Sequence, residues 1–312
     1  MPRRKESNGV TLRVMQKILQ SEFKNSPLLS RLLHLYDVPE FMYLEGELPL
    51  IEHDERGTLT PRILTIVGSR NYSSYASDVI THLVASLKGQ NVIILSGLAL
   101  GVDSLAHQAA MENNLFTIAI PGSGLSDEKL YPREHVRLAK DILNNGGVLL
   151  SELSPETSAN KWTFPSRNRL MAALGDAVLV IEARERSGTL ITARQALELG
   201  KNIGVVPGSI FSDFLKGSHA LLQDGAMPIT ESSHLFDLLS LKQDLEKTTV
   251  GKIVPNLPPH EHMLYAMLDE PLLKSDLLER SKLSPSDFLM ALSSLEVDDL
   301  ITTSLHEVRK VV

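Results

Sequence analysis

The sequence contains no cysteine among its 312 residues. This absence excludes a disulfide framework, a thiolate metal site and a cysteine nucleophile. No apolar run approaches the roughly 18–20 residues that a membrane span needs, and the basic N-terminal stretch lacks the apolar core of a signal peptide. We therefore expect a cytoplasmic protein with no membrane partner.

Recognisable catalytic motifs are also missing. The sequence has no Walker A loop, no G-x-S-x-G elbow, no H-E-x-x-H pair and no G-x-G-x-x-G fingerprint after its first predicted strand. Its ten histidines are scattered, and His260 with His262 makes too small a set for a metal site. We predict that the protein is not an enzyme and needs no cofactor or metal.

Charge is unevenly distributed along the chain. The net charge is −7, and residues 257–312 carry 10 acidic against 5 basic residues. Residues 61–176 carry 10 of each sign. A neutral middle region can hold a local basic groove, whereas an acidic tail is a poor partner for phosphates.

Six short apolar runs alternate with amphipathic segments through the middle of the chain. Buried strands that alternate with helices are typical of a parallel sheet covered on both faces. The sequence therefore predicts an α/β fold with an extended, Rossmann-like, doubly wound and mostly parallel sheet. The predicted strands are 63–68, 91–96, 116–120, 147–151, 177–183 and 202–206, and the predicted helices are 74–88, 103–113, 134–144, 166–175 and 189–199.

The sequence predicts four segments. Residues 1–60 begin with a helical pattern at 11–24 and then become turn-rich, which indicates a short lead-in in place of a full N-terminal domain. The Rossmann-like domain occupies 61–240, and the polar, proline-containing stretch 241–258 is typical of a linker. Three helical stretches and two β-rich ones in 259–312 outline a small C-terminal winged helix.

Ligands of open parallel sheets bind beyond the carboxyl ends of the strands. Small residues dominate these ends here, so backbone N–H groups at helix N-termini can approach an anion closely. Trp162 and Phe164 offer faces for base stacking, and cations beside aromatic faces are typical of single-stranded nucleic acid binding. The cations near these strand ends include Arg70, Lys161, Arg167 and Arg169.

Other interpretations of the same residues stay open. The aromatic pair equally fits a role in covering the core. Arg167 and Arg169 fit structural pairing with carboxylates on a neighbouring loop. Asp103 and Glu182 lie near strand ends, where such residues more often cap a helix or hold an arginine than act as catalytic acids.

Five motifs in order resemble the DprA/Smf family, the DNA-processing proteins of bacterial natural transformation. The resemblance runs from about Tyr43 to Leu239, and the combination is far more specific than any one motif. The motifs are G-S-R at 68–70, S-G-x-A-x-G-V-D at 96–103, F-P-x-R-N-R at 164–169, E-A-x-x-x-S-G-T-L-I-T-A at 182–193 and V-P-G-S at 206–209, with L-L-Q-D-G-A at 221–226.

The resemblance implies a recombination mediator that binds and protects incoming single-stranded DNA and loads the RecA recombinase onto it. The family's DNA-contacting residues fall on Arg70, Lys161 and Phe164, and Gly68 and Ser69 allow close backbone approach. The full predicted DNA-binding set is Gly68, Ser69, Arg70, Lys161, Phe164, Arg167, Asn168 and Arg169.

The resemblance also implies protein contacts. The family's homodimer face falls on the helix around His219 and Leu222, and its RecA contact falls near Leu197. Two departures matter for the expected function. The family's usual N-terminal helical domain is missing or reduced to residues 1–40, and Leu98 with Leu100 replaces more polar residues in the floor of the groove.

The C-terminal segment resembles the family's usual winged-helix tail. Winged helices commonly place their second helix in the DNA major groove. The candidate recognition helix, Ser284 to Leu300, contains no lysine or arginine. We predict that this domain contacts protein, or the rest of its own dimer, and not duplex DNA. Its acidic residues are Asp287, Glu296, Asp298 and Asp299.

Two alternative functions remain at the sequence level. Nucleotide phosphoribohydrolases on a related Rossmann fold share the Gly-Ser-Arg opening, but they carry a P-G-G-x-G-T-x-x-E loop whose glutamate acts on the ribosyl bond. Residues 186–193 lack the second glycine and that glutamate, which general acid–base chemistry requires. The other alternative is a nucleotide-sensing module that signals through its acidic winged helix.

Overall fold

The computed structural model describes residues 15–53, 59–241, 257–268, 271–298, 300–304 and 307–310. The chain divides into two units, Met1–Lys242 and Gln243–Val312. Most of the predicted linker, 241–258, and the first part of the predicted lead-in lie outside the described residues.

The described part of the first unit contains eleven strands and seven α-helices. The strands are β1 Gln16–Leu19, β2 Phe41–Glu45, β3 Glu52–His53, β4 Leu59–Thr60, β5 Arg62–Val67, β6 Val92–Ser96, β7 Phe116–Ala119, β8 Val148–Ser151, β9 Ala177–Val180, β10 Asn202–Val205 and β11 Met227–Pro228. The helices are α1 Ser74–Ser86, α2 Val102–Glu112, α3 Val136–Asn144, α4 Thr163–Leu174, α5 Gly188–Glu198, α6 Lys216–Gln223 and α7 Ser232–Leu238. Short 3-10 helices cover Gln20–Asn25, Leu29–His34 and Arg133–His135.

Nine of these strands form one central sheet in the order β1-β2-β8-β7-β6-β5-β9-β10-β11. Seven neighbouring strands pair in parallel, in the order β8-β7-β6-β5-β9-β10-β11. At one edge β2 pairs antiparallel with β8, and β1 pairs antiparallel with β2. Residues of α1, α2 and α7 pack on one face, and residues of α4, α5 and α6 pack on the other. The predicted α/β fold with a mostly parallel central sheet is confirmed.

The helix predicted for residues 11–24 is wrong where the structure describes it. Residues 16–19 form β1, which pairs with β2, and only 20–25 are helical, as a 3-10 turn. A short isolated helix is only marginally stable in water. Here strand pairing satisfies the backbone instead, and Phe23 becomes completely buried in the core.

The second unit has a small core of its own around Leu264, Leu277 and Phe288. Its three strands pair in the order β12-β14-β13. The third helix begins at Ser284, whose hydroxyl accepts a hydrogen bond from the backbone N–H of Asp287 at 3.2 Å. The described elements of the second unit are α8 Pro259–Met267, β12 Leu272–Leu273, α9 Lys274–Ser281, α10 Pro285–Val297, β13 Ile301–Thr303 and β14 Glu307–Lys310.

Candidate nucleic-acid interface

A surface cleft of about 260 Å³ lies at the carboxyl ends of the central strands. The turn after β5, the first half of α4 and the connection from β9 to α5 line this cleft. Parallel sheets bind their ligands at this edge. The cleft therefore brings together four of the five motifs predicted from the sequence, because Ala99 and Asp103 of the 96–103 motif also line it.

Phe164 is held at this edge by its contact with Gly122, which follows β7. A Cβ atom added at Gly122 would lie 2.5 Å from Cδ1 of Phe164, so only glycine leaves room for the ring. Thr163 reinforces the contact, because its hydroxyl donates to the carbonyl of Gly122 at 2.6 Å. The Phe164 ring remains partly exposed beside the cleft.

Arg70 and Phe164 form the centre of the candidate interface. The guanidinium carbon of Arg70 lies 5.0 Å from the centroid of the Phe164 ring, a cation–π distance. Tyr131 contacts the same ring edge-on, with a centroid distance of 5.7 Å. The Arg70 side chain is exposed, so the pair offers a phosphate a positive charge directly beside an aromatic face.

Gly68 and Ser69 shape the turn that presents Arg70. A Cβ atom added at Gly68 would lie 2.6 Å from Val102, so glycine is needed for β5 to end against α2. Thr189 donates to the Gly68 carbonyl at 3.0 Å, and the N–H of Val102 donates to the Ser69 carbonyl at 3.2 Å. These two residues therefore position the turn, and their contact with DNA stays a prediction.

Lys161 lies on the exposed loop that leads into α4. Its ammonium nitrogen is 4.8 Å from the centroid of the Trp162 ring. Trp162 is 73% exposed, so the interpretation that it covers the core is wrong. Lys161 does not line the cleft that Arg70 lines. Lys161 and Trp162 instead form a second cation–aromatic pair, which lies just before Phe164 in the sequence.

Arg167 forms the floor of the cleft and is only 6% exposed. Its Nη1 donates to the carbonyl of Ile120 at 2.5 Å. Burial lowers the pKa of Arg167 to about 10; the negative charge of Asp103 opposes this shift and the positive charge of Arg70 adds to it. Burial also raises the pKa of Asp103, although Arg167 and the N–H of Ala99 counteract that effect.

Asn168 and Arg169 are also turned away from the surface. The Asn168 amide donates to the carbonyl of Gly188 at 3.4 Å. Arg169 forms an ion pair with Glu152 and lies 3.7 Å from the carboxylate of Asp37.

These contacts hold Arg167, Asn168 and Arg169 within the protein, and the contact of the three with DNA stays a prediction. The three side chains follow Phe164 by about one helical turn, and elements other than α4 supply all their partners. The geometry supports a structural role for all three residues.

Glu182 is a helix-capping residue. Its carboxylate accepts hydrogen bonds from the hydroxyl of Ser73 and from the Ser73 backbone N–H, the latter at 3.1 Å. Ser73 in turn caps the first turn of α1. Glu182 is 1% exposed, and its contacts with Ser73 support the capping role over the catalytic one.

Leu98 and Leu100 differ in their surroundings. Leu98 is completely buried in a cluster with residues of α3, so it does not form the floor of a groove as expected. Leu100 is exposed and lies with Phe164 and Tyr131 around a smaller neighbouring pocket.

Sequence reasoning missed Tyr131, Arg184 and Arg186 as parts of this surface. Arg184 and Arg186 are exposed and line the same cleft as Arg70. Their position after a strand end was a usable signal, because the other cations were selected on that ground. Tyr131 lies far from β7 along the chain, and no sequence pattern indicated its contact with Phe164.

The residues predicted to contact proteins lie outside the cleft. Leu197 is 47% exposed near the end of α5. His219 and Leu222 are half-buried on α6, where the His219 ring is 3.2 Å from the carbonyl of Gly208 and Leu222 packs against the main core.

The part of the chain that the structure describes offers neither a group of metal ligands nor a membrane-spanning helix. No three histidine, aspartate or glutamate side chains there are grouped so that they could hold a metal ion. None of the helices described combines the length and apolarity needed to cross a membrane.

The fold and the site define an α/β protein with a cationic, aromatic ligand edge. Comparison with known proteins narrows this class. The family described as DNA recombination-mediator protein A matches residues 19–240. The chain belongs to this family, which includes the proteins named DprA and Smf.

Individual relatives agree with this assignment. The DNA processing protein DprA of Bacillus subtilis is 37% identical over 205 residues, which cover 66% of this chain and 66% of that relative. The structure of DprA from Streptococcus pneumoniae matches with a TM-score of 0.60 and 35% identity, over 66% of this chain and 69% of the other.

A second solved structure is described for its single-stranded DNA binding mode. It is DNA processing protein A from Helicobacter pylori, with a TM-score of 0.56 and 28% identity over 66% of this chain and 89% of that one. The match to the Bacillus subtilis relative spans about two thirds of the length of that protein.

Proposed function

We propose that this protein binds single-stranded DNA at the Arg70–Phe164 surface, protects it, and loads the RecA recombinase onto it during recombination and natural transformation. The observation that carries the proposal is the guanidinium of Arg70 held 5.0 Å from the partly exposed Phe164 ring. Family membership supports it, as does the single-stranded DNA binding mode described for the Helicobacter pylori relative.

The mechanism follows from the chemistry of the exposed side chains. Arg70 and Lys161 bind phosphates of the strand, and bases stack on Phe164. Phosphate and stacking contacts do not read base edges, so we expect little sequence preference. The strand must be single, because a base paired within a duplex cannot offer its face to Phe164.

The protein acts as a homodimer through the α6 face around His219 and Leu222, which joins two grooves into one track. RecA binds near Leu197, whose exposed side chain on α5 supports this assignment. The protein works in the cytoplasm, where incoming DNA meets the recombinase, and it performs no covalent chemistry.

Residues 259–312 act as a winged helix that contacts protein. The order of helices and strands in the second unit supports the winged-helix assignment. Asp287 and Glu296 make α10 acidic, Asp298 follows it directly, and the helix contains no lysine or arginine. Its surface would repel phosphates, so we expect no duplex binding by this helix.

A phosphoribohydrolase would need a general acid that reaches its substrate, and the described residues of the cleft include no exposed carboxylate. Asp103 is the only carboxylate among the described residues that line it, and that side chain is buried. Glu182, the other candidate, caps α1. We therefore favour DNA binding over nucleotide hydrolysis.

The testing experiment is a fluorescence anisotropy titration of labelled oligo-dT with the full chain at two salt concentrations, with an equal-length duplex as competitor. We expect tight, salt-sensitive binding that the duplex does not displace. Arg70→Ala and Lys161→Ala should each weaken binding by about 1–2 kcal/mol and reduce the salt slope by about 0.7 per lost contact.

Arg137→Ala is the matched control, since Arg137 is 93% exposed on α3 and lies outside the cleft. Unchanged affinity in both site variants would refute the site assignment. If the unaltered chain fails to bind at low salt, the proposed function is wrong, and nucleoside monophosphates should be screened next.

A further inference from the structure

The cleft has a second cationic wall that the proposed function does not use. Arg184 and Arg186 lie in the connection from β9 to α5 and line the same cleft as Arg70. Both are exposed, and neither forms an ion pair with a carboxylate of the described residues. A competing anion near Arg184 is Asp213, whose pKa is lowered mainly by Lys216 and further by the charge of Arg184.

Arg184 is held in place by its surroundings. Its guanidinium carbon lies 4.2 Å from the centroid of the Phe214 ring. The backbone beside it is bonded to the start of α6, because the N–H of Gly217 donates to the Ala183 carbonyl at 2.8 Å and the N–H of Ala183 donates to the Ser218 hydroxyl at 3.0 Å. An arginine that is already ordered loses less conformational entropy when it binds a phosphate.

The N-terminus of α5 opens onto the same cleft. The helix begins at Gly188, where an added Cβ atom would meet no atom within 4 Å, so the space above it is open. The partial positive charge of a helix N-terminus favours an anion at this point.

The charges of the cleft lining favour the same ligand. Arg167 places a positive charge on the cleft floor, although its side chain is only 6% exposed. Asp103 is the only carboxylate that the described residues contribute to the cleft lining, and it is also 6% exposed. The exposed lining charges, Arg70, Arg184 and Arg186, are all positive.

We propose that Arg184, Arg186 and the N-terminus of α5 form a second phosphate subsite, which binds the next phosphate of the strand held by Arg70. This inference rests on the proposed function and adds to it. One strand then crosses the cleft from Arg70 to Arg186, with its base on Phe164 between the two phosphate contacts.

The test measures oligo-dT binding by the full chain with Arg184→Ala, Arg186→Ala and the double variant. The probe is a labelled strand of about 15 nucleotides, long enough for such grooves. Each single variant should bind about three- to tenfold more weakly and reduce the salt slope by about 0.7. Arg186→Lys should keep the salt slope but recover only part of the affinity, since lysine lacks the planar fork.

Arg194→Ala is the matched control, because Arg194 is an exposed arginine on the same helix that does not line the cleft. Equal weakening by Arg194→Ala and by the two cleft variants would mean a net-charge effect and overturn the subsite. So would unchanged affinity in the double variant. Thermal unfolding of every variant checks that the fold is retained.

Arg70→Ala separates the two proposals. If the unaltered chain binds and Arg70→Ala weakens binding, while Arg184→Ala and Arg186→Ala do not, only the second subsite is wrong. If the unaltered chain does not bind at all, the proposed function fails first.

Discussion

Phe164 has a close structural counterpart that allows its role to be isolated. Phe41 on β2 also has a tyrosine edge-on, Tyr43 at 5.4 Å, and a cation over its ring, Lys17 at 4.1 Å. It lies on the antiparallel extension of the sheet, away from the cleft. Phe41 and Phe164 thus have similar local packing, but only Phe164 is predicted to contact DNA.

We expect Phe164→Ala to weaken oligo-dT binding by about 1–3 kcal/mol, the contribution of one stacked base. Phe41→Ala should leave affinity unchanged, even if it lowers stability. Anisotropy titrations of both variants measure the difference. Equal affinities for the two variants would mean that no base stacks on Phe164.

His107 is a buried residue whose protonation opposes folding. Its Nδ1 is 2.7 Å from the hydroxyl of Thr117, and that hydroxyl donates to the carbonyl of Ile94 at 2.9 Å. The hydroxyl must therefore accept from Nδ1–H, which leaves Nε2 as a buried atom without a partner among the described residues. Burial lowers the pKa of His107 to about 3, and the charges of His135 and Arg167 add to this effect.

The stability that neutral His107 contributes is complete above its unfolded pKa of 6.5. It is lost as the pH falls from there toward 3, by about 1.4 kcal/mol per pH unit, because only the unfolded chain binds the proton. We expect His107→Gln to flatten the pH dependence of the free energy of unfolding between pH 6.5 and pH 4, measured by urea denaturation. His82→Gln, at an exposed position on α1, should not; equal slopes for the two variants would contradict the prediction.

Some of these residue positions were predictable from the sequence and others were not. Arg70 and Phe164 follow strand ends within recognisable motifs, and the structure brings them together. The inward direction of Arg167 and Arg169 depends on partners that lie far away in sequence, such as Ile120 and Glu152. A local pattern carries no information about such contacts.

At the scale of elements, Glu182 joins β9 to the start of α1. Its carboxylate satisfies the backbone N–H of Ser73 and binds the hydroxyl that caps the helix. We expect Glu182→Ala to lower the free energy of unfolding by about 1–3 kcal/mol, because it leaves the partly buried N–H and hydroxyl of Ser73 without their acceptor.

The same variant distinguishes a structural role from a catalytic one. Oligo-dT affinity should stay within twofold of the unaltered chain at temperatures where both remain folded. Urea denaturation and anisotropy measure the two quantities. A variant of unchanged stability would contradict the capping role of Glu182.

The parallel strands were predictable because they are buried on both faces and therefore appear as continuous apolar runs. β1 and β2 were not, since their pairing at the sheet edge depends on β8. Residues 16–19 have a helical pattern in isolation, and only the partner strand determines their conformation. Tertiary context commonly overrides local propensity in this way.

At the scale of the whole molecule, charge and assembly determine how a protein of net charge −7 can bind DNA. Binding needs only a local positive surface, which two joined grooves would extend. The proposed dimer face on α6 adjoins the loop that carries Arg184, since Gly217 is bonded to Ala183. Dimer formation and the length of DNA that is bound should therefore change together.

We expect His219→Glu and Leu222→Glu to convert a dimer into a monomer of 34.4 kDa, because each places a charge on a face that must lose water on pairing. Ala220→Glu is the matched control, because it adds the same charge to an exposed position of the same helix, about 100° around the helix axis from His219. Light scattering coupled to size exclusion measures the mass. A monomeric unaltered chain, or dimeric site variants, would refute the assigned face.

The same monomeric variants should lose affinity for long oligo-dT strands more than for short ones. A short strand occupies one groove, and its contacts with Arg70 and Phe164 do not depend on the partner. A long strand crosses both grooves, so the second binding event is intramolecular in the dimer and is lost in the monomer. Equal losses for both lengths would mean that each groove binds a separate strand.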